Sequence, residues 1–343
     1  MPVAPSPSVA ELGERAVVDR ITRTLARPDW VVVGAGDDAA VVEVEPRRLE
    51  VLTTDALVDG VHVDRRFTPA DAICHRALAV NLSDLAAMGA RPRSALLALA
   101  LPGDLPVDDL DAMMRGMNAL AQASRIAIVG GNVTSTPGPL VVTMTVTGSA
   151  HRRRVLTRGG ARVGDDVYVT GTLGGATIGL ASLQRSEKAE SPGDIADNVL
   201  ADARERYWRP TPRVRAGTAL ADCKAATACI DLSDGLADGV HRLADASNVG
   251  IALLAEELPL HPAVLAWHHG DARRAWLAAV QGGDDYELLF TASPRHRGRL
   301  RAVRHLTAEL PITRVGTVTR SRGIVVRTAA GEEGLPTGYS HFG

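Results

Sequence analysis

The 343 residues are too many for one ordinary compact domain and suit two of ~150–200 residues each. Apolar residues make up 45% and aromatics only 3%, so Ala, Val and Leu must fill cores in which helices pack closely on sheets. A formal net charge of −2 gives no basic surface of the kind that non-specific nucleic-acid binding needs, and the basic run at residues 151–154 reads as a solvated face.

Residues 1–10 are rich in Pro, Ser and Ala, with no basic start and no apolar core, so they read as a disordered tail rather than a signal peptide. Residues 12–25 place Leu12, Ala16, Ile21 and Leu25 on one helical face. Short strands follow at 31–33, leading into Gly34-Ala35-Gly36-Asp37-Asp38, and at 50–54, ending in Asp55. Thr68-Pro69-Ala70-Asp71 reads as a helix start with Thr68 as N-cap, and that helix runs to Met88 and stops at Gly89. A strand at 94–101 precedes a helix at 108–125 whose Met113, Met114 and Met117 read as core. Strands at 126–129 and 140–148 flank Gly130-Gly131-Asn132. Beyond residue 150, a strand at 166–170 leads through glycines 171, 174 and 175 into a helix ending near Gln184. Residues 186–206 are polar, either a surface excursion or an exposed helix. Alternating elements return at 225–247 and 286–291, and the chain closes β-rich over 313–327. The domains expected are residues 11–150 and 151–343.

Cys74, Cys223 and Cys229 form no C-x-x-C and no even framework, so they suggest neither a disulfide scaffold nor a zinc site. No apolar run approaches the ~20 residues of a membrane span, and a soluble cytoplasmic protein is expected. No G-x-x-x-x-G-K-[ST] occurs, which excludes a P-loop enzyme, and no G-x-G-x-x-G follows a strand. Gly171-Thr172-Leu173-Gly174-Gly175 reads as a tight connection that needs glycine.

Carboxylates at the ends of apolar strands are the chemical signal: Asp37 and Asp38, Asp55, Asp231 with Asp234, and Asp284 with Asp285. In an open α/β sheet such strand ends carry the site. Asp84 is different, because it lies inside an apolar helix with Asn81 on the same face. A carboxylate in such surroundings needs a partner, and both Arg76 and a metal are open. If these aspartates converge, they make an oxygen-only anionic site that selects magnesium, manganese or calcium over zinc. Its natural partner is a polyphosphate bridged by several metals, with the Thr53 and Thr54 hydroxyls as neutral ligands. Ser233 or Asp234 is either a plain helix cap or part of a phosphate contact at a helix start. His62 is either structural or a donor to a substrate phosphate. Leu82-Ser83-Asp84 and Leu232-Ser233-Asp234 repeat one another, consistent with two related halves.

Seven blocks occur in order: Gly36-Asp37-Asp38-Ala39, Thr54-Asp55 through His62, Ala79 through Ala90, Leu156-Thr157-Arg158, Val169-Thr170-Gly171-Thr172, Ile230 through Leu236, and Gly282-Gly283-Asp284-Asp285-Tyr286-Glu287-Leu288. Together they resemble the thiamine-monophosphate kinase family, which belongs with aminoimidazole ribonucleotide synthetase, selenophosphate synthetase and a hydrogenase maturation protein. The resemblance covers residues 11–342. It implies a two-domain α/β fold whose N-terminal domains pair into a barrel-like homodimer interface. It implies direct transfer of phosphate from ATP, with several magnesium ions, to thiamine monophosphate. Carried over residue by residue, it implies Asp38, Thr53, Thr54, Asp55, Asp84, Asp231 and Asp234 as magnesium ligands. Gly131, Asn132, Arg158 and Ser233 would contact ATP, and His62 and Asp284 the substrate.

Three positions depart from the family pattern. Asn132 stands where the family has Asp, Asp284 where it has Glu, and Pro336 where it has an aromatic that would stack on the thiamine ring. Tyr339 lies nearby in the block Gly338-Tyr339-Ser340-His341-Phe342, and it would be the ring to take over that role. Two other readings stay open: another ATP-dependent enzyme of the superfamily acting on a different small phosphate or acid, and a nucleotide-binding paralogue without turnover. A selenophosphate synthetase would carry an N-terminal Cys or Sec beside a Lys, and the hydrogenase maturation protein would end in a reactive Cys; this sequence has neither.

Overall fold

The computed structural model describes residues 6–188, 195–307, 310–329 and 331–336. The chain divides into two compact units, Met1–Leu82 with Pro92–Ser149, and Ser83–Arg91 with Ala150–Gly343.

The first unit opens with α1 (Val9–Leu12) and α2 (Glu14–Thr22), separated by Gly13 at φ +80°. The single helix expected over 12–25 is therefore two. The expected tail is also tied down from Ser6 onward. Ser8 caps α1 in a box with Glu11, Val9 donates to the Leu105 carbonyl, and Val107 donates to that of Pro7. After β1 (Val31–Val33) and β2 (Val41–Val42), an antiparallel pair, come β3 (Leu49–Val58), α3 (Ala70–Ala87), β4 (Arg91–Pro102), α4 (Val107–Ser124), β5 (Ala127–Thr136) and β6 (Val141–Ala150). The expected Thr68 cap does not form. Its hydroxyl is buried with no hydrogen-bond partner among the described residues.

A four-stranded sheet has the order β3-β6-β4-β5, with β4 and β5 parallel. One face is buried through Leu97, Leu99, Met144 and Val146, while α4 packs on β5 through its methionine stripe. Helix α4 closes on α3 at Gly116, where a Cβ would fall 1.7 Å from the Asp71 carbonyl oxygen. The other face is open. Thr54 contacts Thr145, and Ser94 contacts Thr147, which aligns these residues on one side with exposed Leu52 and Leu96. Strand β5 continues through Gly130-Gly131-Asn132, where a loop-like break was expected, with its register against β4 shifting by one residue between Ile128 and Gly130; a Cβ on Gly131 would sit 1.7 Å from the Leu97 carbonyl oxygen, and glycine alone permits that approach.

The second unit is a seven-stranded sheet between two helical layers. Its elements are β7 (Asp166–Thr170), α5 (Gly175–Glu187), α6 (Asp197–Trp208), α7 (Val214–Asp222), β8 (Ala228–Asp231), α8 (Gly235–Ser247), β9 (Gly250–Leu254), α9 (Pro262–Trp267), α10 (Ala272–Gln281), β10 (Leu288–Ala292), α11 (Arg297–Leu306), β11 (Ile312–Thr319), β12 (Ile324–Thr328) and β13 (Gly331–Gly334). The order is β13-β12-β9-β11-β7-β10-β8. Only β12 and β9 pair in parallel; the other five pairs are antiparallel. Strands β7, β8 and β10 are buried along their whole length, as strands covered on both faces must be. Alternation sends Val167 and Val169 toward one core with Leu236, Val240 and Val264, and Tyr168 toward another with Leu220 and Leu300. With so few aromatics, one stacked pair, Tyr168 on Phe290 at 5.3 Å, is the bulkiest contact of that second core. The polar stretch at 186–206 contributes α6, which packs along α5; residues 189–194 lie outside the described residues. Among the described residues no helix is long and apolar enough to cross a membrane.

Candidate active site

Asp231 ends β8, the edge strand of the seven-stranded sheet, and is buried. Ser83, itself fully buried, donates its hydroxyl to Asp231 Oδ2 at 2.8 Å. Burial raises the Asp231 carboxyl to about 7, and the charge of neighbouring Asp84 pushes in the same direction. The Ser83 hydroxyl and the Arg158 guanidinium oppose this. The charge of Asp84 is thus felt by a buried carboxylate, a repulsion that a cation relieves. Asp84 is half-buried, less enclosed than its apolar helix suggested.

Beyond β8 the chain turns through Ser233 and Asp234 into α8. Asp234 occupies the N-cap position but makes no side-chain capping bond, so the plain-cap reading does not describe it. Its carboxylate accepts from the Ser233 hydroxyl at 3.2 Å and lies 3.8 Å from Arg242. The loop ahead of β10 is zipped onto this turn. Asp284 N–H donates to the Ser233 carbonyl at 2.7 Å, Tyr286 N–H to that of Leu232 at 2.9 Å, and Leu232 N–H to that of Glu287 at 2.9 Å. Thus Asp84, Arg158, Asp231, Ser233, Asp234 and Asp284 all belong to the second unit.

The first unit holds the rest. Asp38 is exposed in the loop after β1, where its N–H donates to the Asp37 carboxylate at 2.8 Å. Thr53, Thr54 and Asp55 lie on β3. Thr54 donates to the Met144 carbonyl at 3.1 Å and is on the open face, while strand alternation turns Thr53 and Asp55 away from it. His62 follows β3 in a turn, and its Nδ1 accepts from Val58 N–H at 3.2 Å. That bond requires a neutral ring protonated at Nε2. Gly131 and Asn132 are exposed on β5. Strands β3 and β5 are the two outer strands of their sheet, so Thr54 and Asn132 are not neighbours. Three strand spacings, roughly 14 Å, separate them.

Among the described residues, no group of three or more His, Cys, Asp or Glu side chains is gathered as a metal-binding set. Magnesium seldom requires one. It is commonly held by one or two carboxylates, with phosphate oxygens and water completing the shell. The Asp84–Asp231 pair fits that habit, offering hard oxygen donors from one buried and one half-buried carboxylate.

Several participants were not legible as such. Ser83 was visible only through the repeated Leu-Ser-Asp, which a three-residue match could not distinguish from coincidence. Asp285 accepts from Gly174 N–H with both carboxylate oxygens at 2.9 Å, and Glu287 is fully buried against Arg213 and Thr170. Pro336 follows β13, whereas Tyr339 lies outside the described residues.

Residues 36–150 match the model for the N-terminal domain of AIR synthase related proteins, and residues 162–328 match that for their C-terminal domain. The chain is 33% identical over 334 residues to the thiamine-monophosphate kinase of Bacillus subtilis strain 168, covering 96% of this chain and 100% of that protein. It is 39% identical over 290 residues to the Escherichia coli K12 enzyme, covering 84% and 85%. The crystal structure of thiamine-monophosphate kinase from Stenotrophomonas maltophilia K279a superposes with a TM-score of 0.80 at 38% identity, over 90% of this chain and 95% of that one. AaThiL complexed with AMPPCP and TMP superposes with a TM-score of 0.74 at 31% identity, over 97% and 98%. The hydrogenase maturation protein HypE in complex with ATP shares the fold, with a TM-score of 0.76 at 20% identity over 96% of each chain. Alike in both domains and along nearly its whole length, the chain belongs to the thiamine-monophosphate kinase family, kinases built on the two-domain AIR synthase related fold.

Proposed function

We propose that this protein transfers the γ-phosphoryl group of ATP directly to the phosphate of thiamine monophosphate, in a magnesium-dependent reaction that yields thiamine diphosphate and ADP. The observation that carries the reading is the buried Asp231 carboxylate, raised to about 7 by its burial and by the charge of Asp84. Such a pair calls for a divalent cation, and a nucleotide brings one. Similarity to a relative bound to AMPPCP and TMP supports both substrates.

Asp84, Asp231 and Asp234 would hold magnesium in the second unit, and Asp38, Thr53 and Asp55 in the first, while Thr54, whose hydroxyl lies on the other face of β3 against the Met144 carbonyl, would join them only through its backbone. When bound, the metal supplies charge neutralisation on the phosphate oxygens. The chain's own groups do the rest. Arg158 supplies a permanent positive charge for the triphosphate, and Ser233 a hydroxyl at the start of α8. Gly131 and Asn132 present β5 backbone and a neutral amide to the nucleotide. His62, with Nδ1 engaged by Val58, donates from Nε2 to the acceptor phosphate. Asp284 orients the acceptor. No general base is required, because a phosphate monoester oxygen is already nucleophilic near neutral pH. That oxygen forms the new bond to the γ-phosphorus as the bond to the β–γ bridging oxygen breaks.

The open face of the four-stranded sheet supports pairing of two copies through the first unit. Leu52 and Leu96 are 66% and 45% exposed there, and solvent is a poor neighbour for both. The chemistry needs only soluble substrates, so the cytoplasm suits it.

The test is thiamine diphosphate formation from thiamine monophosphate and ATP at graded magnesium. Magnesium-dependent product supports the reading. ATP binding without product would instead favour a nucleotide-binding paralogue, and product from another phosphorylated acceptor would relocate the substrate.

A further inference from the structure

The loop that carries Asp284 is held in an unusual backbone. Asp284 has φ +69° and Tyr286 φ +48°, the left-handed region that L side chains rarely adopt. Two such residues within three positions persist only when their surroundings over-determine them. Gly282 and Gly283 before them leave no room for a Cβ, which would fall 2.1 Å from Thr177 Oγ1 and 2.6 Å from the Ser233 carbonyl oxygen.

The surroundings that fix this loop are two carboxylates of the same segment, the half-buried Asp285 and the fully buried Glu287. Asp285 accepts from Gly174 N–H with both oxygens at 2.9 Å, tying the loop to the turn after β7. Two residues on, Glu287 has no exposed surface. It accepts from Thr170 Oγ1 at 2.6 Å and from Arg213 through Nε at 2.7 Å and Nη2 at 2.5 Å. Thr170 Oγ1 in turn accepts from Leu288 N–H at 2.8 Å. Gly171, at φ +59°, is obligatory because its Cβ would lie 1.9 Å from Glu287 Oε1. A buried carboxylate paired with arginine adds little net stability over an apolar pair, but it fixes geometry sharply.

We propose that Asp285 and the Glu287–Arg213 pair are positioning residues for the acceptor. They clamp the segment between the ends of β7 and β8 so that Asp284, whose carboxylate accepts from the Tyr286 hydroxyl at 3.3 Å, is presented in its left-handed conformation. This rests on the reading of Asp284 as an acceptor contact. Burial pushes the Asp285 carboxyl well above its ordinary value, consistent with a group retained at a cost to its charged form.

The test compares Asp285→Ala, Asp285→Asn and Arg213→Lys with the wild type in steady-state kinetics, thermal melting and amide hydrogen exchange. Asp285→Ala is expected to raise the KM for thiamine monophosphate about tenfold or more while the KM for ATP changes less than twofold. Asp285→Asn keeps an oxygen for Gly174 N–H and should recover most of that loss. Arg213→Lys cannot make the two-pronged contact and should behave like Asp285→Ala. Exchange at the Asp284 and Tyr286 amides should quicken at least tenfold in Asp285→Ala, with the melting transition still cooperative. An unchanged acceptor KM in a folded variant overturns the positioning role, as does equal loss in both KM values and kcat. Unchanged exchange at the two amides overturns the clamp, whether or not the enzyme turns over. If the wild type makes no thiamine diphosphate, the functional reading fails and takes the acceptor role with it, while the exchange result still decides the clamp.

Discussion

Ser83 and Asp231 are 148 positions apart, yet the serine hydroxyl meets the aspartate carboxylate at 2.8 Å with both residues buried. The hydroxyl is a donor that favours the ionised carboxylate against burial and against the charge of Asp84. Removing it by Ser83→Ala should make Asp231 harder to ionise and weaken magnesium. A hydrogen bond to a charged group contributes about 1.5–3 kcal/mol, so the half-saturating magnesium concentration should rise about tenfold or more. Magnesium titration of initial rates at fixed ATP checks this. No change would mean that Asp231 does not depend on Ser83.

Asn132 offers a second lever on the metal. It is exposed on β5 and stands where the family pattern has a carboxylate. Asn132→Asp restores one negative charge without altering side-chain volume. The magnesium requirement should fall, by roughly tenfold at most, with little change in melting temperature. The same titration reads the outcome.

Gly131 tests the strand beneath that asparagine. A Cβ there would sit 1.7 Å from the Leu97 carbonyl oxygen and 3.0 Å from Leu97 N, both backbone atoms of the paired strand. Backbone cannot step aside as a flexible side chain can. Gly131→Ala should therefore destabilise the first unit by about 1–3 kcal/mol or more, read by urea or thermal unfolding. Gly138, whose Cβ would find only ordinary space 3.4 Å from Thr136 Oγ1, is the control and should tolerate alanine.

His261 sets a pH dependence of stability. Its Nδ1 accepts from Ala263 N–H at 3.2 Å, while Nε2 meets Asp202 at 2.7 Å. Protonating Nδ1 would destroy the cap of α9. Burial lowers its pKa below the ordinary 6.5, against the opposing pull of Asp202. Below pH 6.5 the unfolded chain therefore binds a proton that the folded one resists. Stability should be full above that pH and decline as pH falls through it, until the folded-state pKa is passed. Burial also raises Asp202, but its bonds to His261 and Arg206 outweigh this and hold it below 3.8, so its own contribution is lost only in stronger acid. Melting temperatures at pH 7.5 and 5.0 check the point: His261→Gln should flatten the difference, and an unchanged difference would place the proton elsewhere.

What could be read from the sequence follows physical range. Elements with strong local signals, such as α4 with its methionine stripe and β7 with its continuous apolar run, are where pattern alone put them. Strand β5 was cut short because glycine reads locally as a break, while its real cause is the Leu97 carbonyl, some thirty-odd residues away in sequence. Thr68 reads as a cap for a related reason, since its residue type suits that role while its hydroxyl is buried without a partner among the described residues and Ala72 N–H goes to the Pro69 carbonyl. Aspartates at strand ends signalled chemistry, but Ser83, Asp285 and Glu287 acquire meaning only from partners on other elements. Asp285 and Glu287 also sit beside Asp284 in one short block, and nothing in residue type separates the carboxylate bonded to the Tyr286 hydroxyl from the two bonded to Gly174, Thr170 and Arg213.

The most direct measurement is thiamine diphosphate formation from thiamine monophosphate, ATP and magnesium, with Asp84→Asn run beside the wild type. This account predicts product from the wild type and a loss of at least a hundredfold in the variant, with the fold preserved. Product at equal rates from both would contradict the Asp84–Asp231 pair as the metal site. No product from a wild type that still binds ATP would contradict the choice of acceptor and make Pro336 the first position to examine.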